Sequence, residues 1–137
     1  MDGPLVRLAD FGHSSKSSLG ISRYETKAVA GPEFLPDAPF SNCEMDGRNS
    51  DVYALGMLLY ALLSKDGSTP MVADDMSNGY IGYGELLDHN DGGCFPLSDI
   101  AEVDQDGRDL LSAMTRVNPL HRIRIDGVKN HSFLRDV

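Results

Sequence analysis

The sequence predicts a mainly α-helical domain with a short β-strand remnant at its N-terminus, and three features carry that expectation. From Val52 to Leu63 the chain is apolar throughout, with Gly56 the only interruption. Asp104 to Met114 opens with carboxylates and sets Leu110, Leu111 and Met114 on one helical face. Leu5 to Ala9 is the single strand-like run.

The strand comes first. Asp2-Gly3 is a tight-turn signal, and a hairpin turn needs a strand on each side. The earlier strand would precede Met1, so the chain is expected to be a piece of a longer unit. Asp10-Phe11-Gly12 follows directly. A strand that ends in Asp presents a carboxylate suited to magnesium, and Gly two residues later lets the backbone swing. Ser14, Ser15, Ser17, Ser18 and Ser22, with Lys16, Gly20 and Arg23, predict a mobile loop. Gly31-Pro32 and Pro36-Asp37-Ala38-Pro39 predict an irregular but ordered loop over 30–40.

Ser50 to Ser64 is the expected central helix. It lacks a polar face, which predicts burial on nearly all sides, and it falls short of the ~20 residues a membrane span needs. Asp51 stands at its mouth, placed to accept backbone N–H groups and complement the helix dipole. Beyond it, clusters of Gly, Asp and Asn predict turns, with one short helix over Gly84 to Asp88. Asn118-Pro119 ends the helix of 104–114, and a last helix is expected from Asp126 to Leu134, burying Val128 and Phe133.

Length and charge exclude several classes. The 137 residues suit one domain with a real core. A formal charge of -9 argues against nucleic acid or anionic membrane as the main partner. Cys43 and Cys94 form no Cys-x-x-Cys, and no basic-then-apolar leader is visible, which together suit a cytoplasmic chain with reduced thiols. Asp88 to Gly93 with Asp99 partly fits a calcium loop but lacks the closing Glu, so a solvated turn is favoured. His13, His89, His121 and His131 show no metal-ligand spacing.

The chemistry-bearing segments occur in a telling order. Asp10-Phe11-Gly12 and the Ser-rich loop run into Ala30-Gly31-Pro32-Glu33-Phe34-Leu35-Pro36-Asp37-Ala38. Ser50-Asp51-Val52-Tyr53-Ala54-Leu55-Gly56-Met57 follows, and then Arg108 through Pro119 to Arg122-Ile123. From Asp10 to about Leu134 this series resembles the C-terminal lobe of a eukaryotic protein kinase domain. Within that family the chain looks most like the calcium/calmodulin-dependent kinase kinases. Leu35 to Phe40 aligns without gaps to their Met-Ala-Pro-Glu-Ser-Leu, and Phe95-Pro96 through Asp99-Ile100-Ala101-Glu102 echoes their Phe-Pro…Asp-Ile-Ala-Glu. The resemblance divides the chain into 1–12 (strand and Asp-Phe-Gly), 13–40 (activation and P+1 loop), 50–64 (central helix) and 104–134 (late helices).

That resemblance implies roles position by position. Asp10 matches the magnesium ligand that bridges ATP phosphates, and Phe11, followed by Gly12, the residue whose packing separates active from inactive states. Thr26 and Ser22 match activation-loop phosphate acceptors. Asp51 matches the Asp that holds the catalytic loop's backbone. Leu58 and Leu62, with Gly56 in the same helix, match the floor of the hydrophobic spine. Arg122 matches the Arg that pairs with the Glu of Ala-Pro-Glu.

Two departures qualify it. A gapless match to Gly-Thr-x-x-Tyr-x-Ala-Pro-Glu puts Gly31 at the Thr and Ala38 at the Glu. Since leaving a buried Arg unpaired costs ~3–5 kcal/mol, Glu33, Asp37 or Glu44 is expected to replace the Glu beside Arg122. The family's Gly-rich loop, strand Lys and His-Arg-Asp-x-x-x-x-Asn catalytic loop do not occur in these residues. The chain therefore contains no catalytic base of its own, and alone it is expected to be inactive. The intact domain would use ATP and magnesium to phosphorylate protein hydroxyls, with a protein substrate or regulatory protein as partner. The alternative is a degenerate, pseudokinase-like interaction module.

Overall fold

Helix α1, Gly47–Leu63, is the 17-residue axis on which the other elements pack. The computed structural model describes residues 6–12, 14, 30–35, 37–40, 46–68, 82–84, 86, 100 and 102–135. The helix starts three residues before the expected Ser50 because Asp46 caps it. The Asp46 carboxylate accepts the Arg48 N–H at 3.0 Å, and the Arg48 guanidinium folds back onto it at 2.9 Å. These contacts hold the Asp46 carboxyl below its ordinary range. Asp51, expected at the mouth, instead lies in the second turn with its side chain exposed. Partial desolvation, and then the nearby Asp46 charge, raise its pKa.

One side of α1 makes the core. Val52, Tyr53, Met57 and Tyr60 are all but fully buried, and each contributes ~1.5–3 kcal/mol relative to an exposed side chain. They serve two apolar clusters. Tyr53, Met57 and Tyr60 meet Tyr83, Leu86, Ile100, Leu111 and Val117, whereas Val52 meets Leu110, Met114 and Val128. The opposite side departs from the expectation of all-round burial. Leu55, Leu58 and Leu62 are 42%, 56% and 73% exposed. Their spacing of three and four residues makes them a single stripe. Leu58 and Leu62, matched above to the spine floor, thus bear no load within the described residues.

Helix α2, Gln105–Met114, follows the carboxylate-rich start its sequence predicts, with Asp104 as the cap accepting the Gly107 N–H at 2.8 Å. It crosses α1 at Gly56. A Cβ there would stand 2.8 Å from Thr115 Cγ2 and 3.0 Å from Met114 Cβ, so the close approach requires glycine. Asn118 then closes a 3-10 turn, Pro119–His121, by accepting the Leu120 N–H at 2.9 Å.

The expected last helix divides in two: α3, Ile125–Lys129, and a 3-10 turn, Ser132–Leu134. The break has a local cause. The Asn130 side chain bonds Asp126 O at 2.8 Å, and His131, in extended backbone, accepts the Phe133 N–H through Nδ1 at 3.3 Å. Val128 is buried as expected, while Phe133 is only half-buried.

No element among the described residues is a strand. Of the expected Leu5–Ala9 strand, Leu5 lies outside the described residues and Val6 to Ala9 are irregular and exposed. A strand needs a neighbour for its backbone ladder, and nothing in the described residues runs beside Val6 to Ala9. The expected helix over Gly84 to Asp88 is helical at Gly84 and Leu86, its other positions lying outside the described residues. So do Cys43, Cys94 and the calcium-like loop. No helix is long and apolar enough to cross a membrane among the described residues.

Gly56→Ala should destabilise the chain by ~1 kcal/mol in urea titration, since overpacking against stiff neighbours outweighs the gain in helix propensity. Leu58→Glu combined with Leu62→Glu should leave the unfolding midpoint nearly unchanged, within about 0.5 kcal/mol, as surface changes do. The same pair should lower self-association measured by light scattering.

Candidate functional site

The most heavily engineered polar site in the fold surrounds Arg122. This residue lies just past the Pro119–His121 turn, and its side chain is buried. Gly31 and the Pro32–Phe34 turn bring Glu33 to it from across the fold. Nη1 bonds Glu33 Oε1 at 2.8 Å and Nη2 bonds Glu33 Oε2 at 2.8 Å, a bidentate fork. The remaining guanidinium donors are also used. Nη1 reaches Asn49 O at 2.8 Å, Nη2 reaches Arg116 O at 2.9 Å, and Nε reaches Arg116 O at 3.1 Å. The guanidinium carbon sits 4.8 Å from the centre of the Tyr53 ring, within cation–π range. Ser50 Oγ completes the site by donating to Glu33 Oε1 at 2.8 Å.

Of the three carboxylates expected to pair with Arg122, Glu33 does so. Asp37 points elsewhere, accepting the Tyr83 N–H at 2.9 Å. Glu44 lies outside the described residues. Burial by itself would raise the Glu33 pKa, but the hydrogen bond and charge of Arg122, helped by Ser50, outweigh it and leave the carboxyl below its ordinary value. Burial raises the Tyr53 phenol strongly, with Glu33 adding to the effect and Arg122 opposing it.

Asp10, the expected magnesium ligand, is separate from this site. It is exposed, with φ at 60°, the left-handed region that Asp tolerates better than most residues. Its Oδ1 accepts the Gly12 N–H at 3.4 Å, and Ser14 Oγ donates to Phe11 O at 2.7 Å. The segment is therefore a self-bonded turn. Phe11 is 65% exposed and belongs to neither apolar cluster of the described residues. Among the described residues no group of three or more His, Cys, Asp or Glu side chains could hold a metal ion. Magnesium beside a nucleotide is commonly held by one or two carboxylates together with phosphates and waters, and Asp10 is one such carboxylate. Thr26 and Ser22 lie outside the described residues.

The protein kinase domain family model matches residues 1–134. The chain belongs to the protein kinase family. Among curated relatives, the serine/threonine-protein kinase SAPK7 of Oryza sativa subsp. japonica is 32% identical over 136 residues, covering 98% of this chain and 36% of the relative. The serine/threonine-protein kinase SRK2C of Arabidopsis thaliana is 30% identical over 139 residues, with 99% and 38% covered. The serine/threonine-protein kinase SRK2A of Physcomitrium patens is 30% identical over 136 residues, with 98% and 37% covered. The chain thus spans somewhat over a third of the length of the relatives it matches.

The Glu33–Arg122 pair changes the register of the kinase motif. If Glu33 takes the place of the Glu in Ala-Pro-Glu, Gly31-Pro32-Glu33 is the motif, and the gapless alignment ending at Ala38 is displaced by five residues. The Thr of Gly-Thr-x-x-Tyr-x-Ala-Pro-Glu, seven residues ahead of the Glu, then falls on Thr26 rather than Gly31. Gly31 then stands where the family has Ala, and with the Glu33 carboxylate placed as it is here a Cβ on Gly31 would collide with it. Sequence reasoning missed this register because it preferred an alignment without gaps. The intact Pro32-Glu33 dipeptide was the available signal. It also missed the Ser50 hydroxyl and the carbonyls of Asn49 and Arg116, whose roles depend on where the fold places them.

Glu33→Gln should cost ~3–5 kcal/mol of unfolding free energy by leaving the Arg122 charge buried without its counter-ion. Because the folded carboxyl has the lower pKa, the pair's contribution is complete above the ordinary value of 4.5 and is lost as pH falls through the folded value. Acid titration of wild type should therefore show a stability loss below that pH, and Glu33→Gln should lack that part of it.

Proposed function

We propose that this chain is the C-terminal-lobe part of a Ser/Thr protein kinase whose intact domain transfers the ATP γ-phosphoryl group to protein hydroxyls. The observation that carries the proposal is the buried Glu33–Arg122 fork, which joins the Gly31-Pro32-Glu33 loop to the late helices as the family's ion pair does. Membership of the kinase family and likeness to proteins named as serine/threonine kinases support it. In the intact domain Asp10 would be one ligand to the magnesium of bound ATP, and the base and phosphate cradle would come from segments other than those described. The ion supplies charge neutralisation of the phosphates when bound. The chain's own contribution is to hold the Glu33 loop beside α1 and to present the Asp10 carboxylate to solvent. A protein substrate or regulatory protein is the proposed partner, and the cytoplasm the proposed location. The calcium/calmodulin-dependent kinase kinase likeness is the proposed subfamily, resting on Phe95-Pro96 and Asp99-Ile100-Ala101-Glu102. With the register at Glu33, Thr26 becomes the proposed partner of the catalytic Asp, which leaves Ser22 as the favoured phosphate acceptor.

One observation favours a second reading, a pseudokinase-like interaction module. Among the described residues Leu55, Leu58 and Leu62 offer an exposed apolar surface on which a partner protein could sit. The two readings separate in a phosphoryl-transfer assay on the full-length protein. Enzyme predicts transfer that Asp10→Asn lowers by at least about a hundredfold, as loss of a charge-stabilising group does. No transfer by the full-length protein would favour the module. The 137-residue chain should give no transfer and no thermal shift at millimolar magnesium-ATP, whereas a functional site at a hundredfold over its Kd would add ~2.7 kcal/mol.

A further inference from the structure

A second anchor on the Glu33 loop has no counterpart in the kinase motif. Four residues beyond Glu33, the Asp37 carboxylate reaches across to the segment at Gly82. Its Oδ1 accepts the Tyr83 N–H at 2.9 Å and its Oδ2 faces the Gly84 N–H at 3.5 Å. Gly82 is needed for this approach, since a Cβ there would stand 2.6 Å from Asp37 Oδ2. Tyr83 begins a helical turn closed by Leu86 N–H to Gly82 O at 3.0 Å, so the carboxylate satisfies donors that open the turn. Just below, the Phe40 and Tyr83 rings meet edge to face, with centroids 5.6 Å apart and planes at 81°. Leu35, Ala38 and Phe40 pack on the cluster that contains Tyr83 and Leu86. The loop is thus tied at one end to Arg122 and at the other to Tyr83.

We propose that Asp37 is a positioning residue that couples the Glu33 loop to the Gly82–Leu86 turn, so that the two present one surface that moves as a unit. The coupling stands on these contacts. Only its consequence, that a protein engaging either segment is felt at the other, rests on the kinase reading above. A single side chain suffices because the donors it serves belong to consecutive residues of the turn, while its own backbone belongs to the loop.

Amide hydrogen exchange on the full 137-residue chain tests the coupling without reference to kinase activity. Asp37→Ala removes the acceptor from the loop side, and Gly82→Ala drives a methyl into it from the turn side. Both should speed exchange of the Tyr83 amide by about five- to tenfold. Both should also speed the Phe34 and Leu35 amides, which bond Gly31 O and Pro32 O at 3.0 Å each, by a similar factor. Asp37→Asn, which keeps one acceptor oxygen, should stay near wild type. Acceleration confined to Tyr83 and Gly84 would reduce Asp37 to a local cap and overturn the proposal, as would unchanged exchange at all four amides. If Asp37→Ala failed to fold by circular dichroism, Gly82→Ala, which retains the carboxylate, would decide by the same readout. Failure here would leave the kinase reading untouched, because the phosphoryl-transfer assay is independent of it.

Discussion

Burying one guanidinium sets the relative positions of three segments that lie far apart in the sequence. The Arg122 side chain is shut off from solvent, and an unpaired charge in that position would consume a large share of a domain's stability. The chain therefore supplies a counter-ion 89 residues away in sequence, together with carbonyls from the first turn of α1 and from the segment after α2. Those partners come from elements with little else in common. Satisfying the charge fixes where the Pro32–Phe34 turn, the start of α1 and the Pro119–His121 turn must lie. The pair is weak evidence of high stability, since desolvation offsets much of the attraction. Its effect is on specificity of arrangement: alternatives that separate Glu33 from Arg122 are strongly disfavoured.

Helix α1 obeys a second constraint, and the two conflict. Its sequence carries apolar side chains all round, yet the described residues cover only the side with Val52, Tyr53, Met57 and Tyr60. Gly56 shows how tightly that side is engaged, with no room for a methyl against Thr115 and Met114. The Leu55–Leu58–Leu62 side has the same composition and no such engagement. Hydrophobic sequence thus reports a capacity for burial, and neighbouring chain decides whether it is realised.

This difference explains what could be read in advance. Patterns that depend on adjacent residues are legible: the carboxylate-led start of α2 and its end ahead of Pro119. Features that depend on distant partners were legible only in part. That Arg122 needed a carboxylate followed from its charge and the kinase resemblance, but three candidates remained until the fold brought Glu33 beside it. The helix cap was misplaced because Asp46 and Asp51 are equally good acceptors in sequence, and only the backbone shows which one precedes the first turn. The last helix was drawn too long because Asn130 and His131 compete with helical bonding through their own side chains, a local effect that periodicity does not register. The strand at Val6 failed for the opposite reason, since strand propensity is expressed only against a neighbour.

Glu33 and Asp10 show how differently two carboxylates can be held by one fold. Glu33 is buried, shares both oxygens with Arg122, and could not leave without stranding a charge. Its orientation is fixed by packing, which suits a structural ion pair and prevents it from meeting a ligand. Asp10 is exposed, and its orientation is set by its own turn, through a positive φ and a long bond to the Gly12 N–H. A left-handed L-residue costs on the order of 1–2 kcal/mol, less for Asp than for most. A carboxylate held this way retains free lone pairs and a short tether. Glu33, with both oxygens committed to Arg122, has neither. Glu33 thus has its partners within the described residues, whereas Asp10 keeps its outer lone pairs open to solvent.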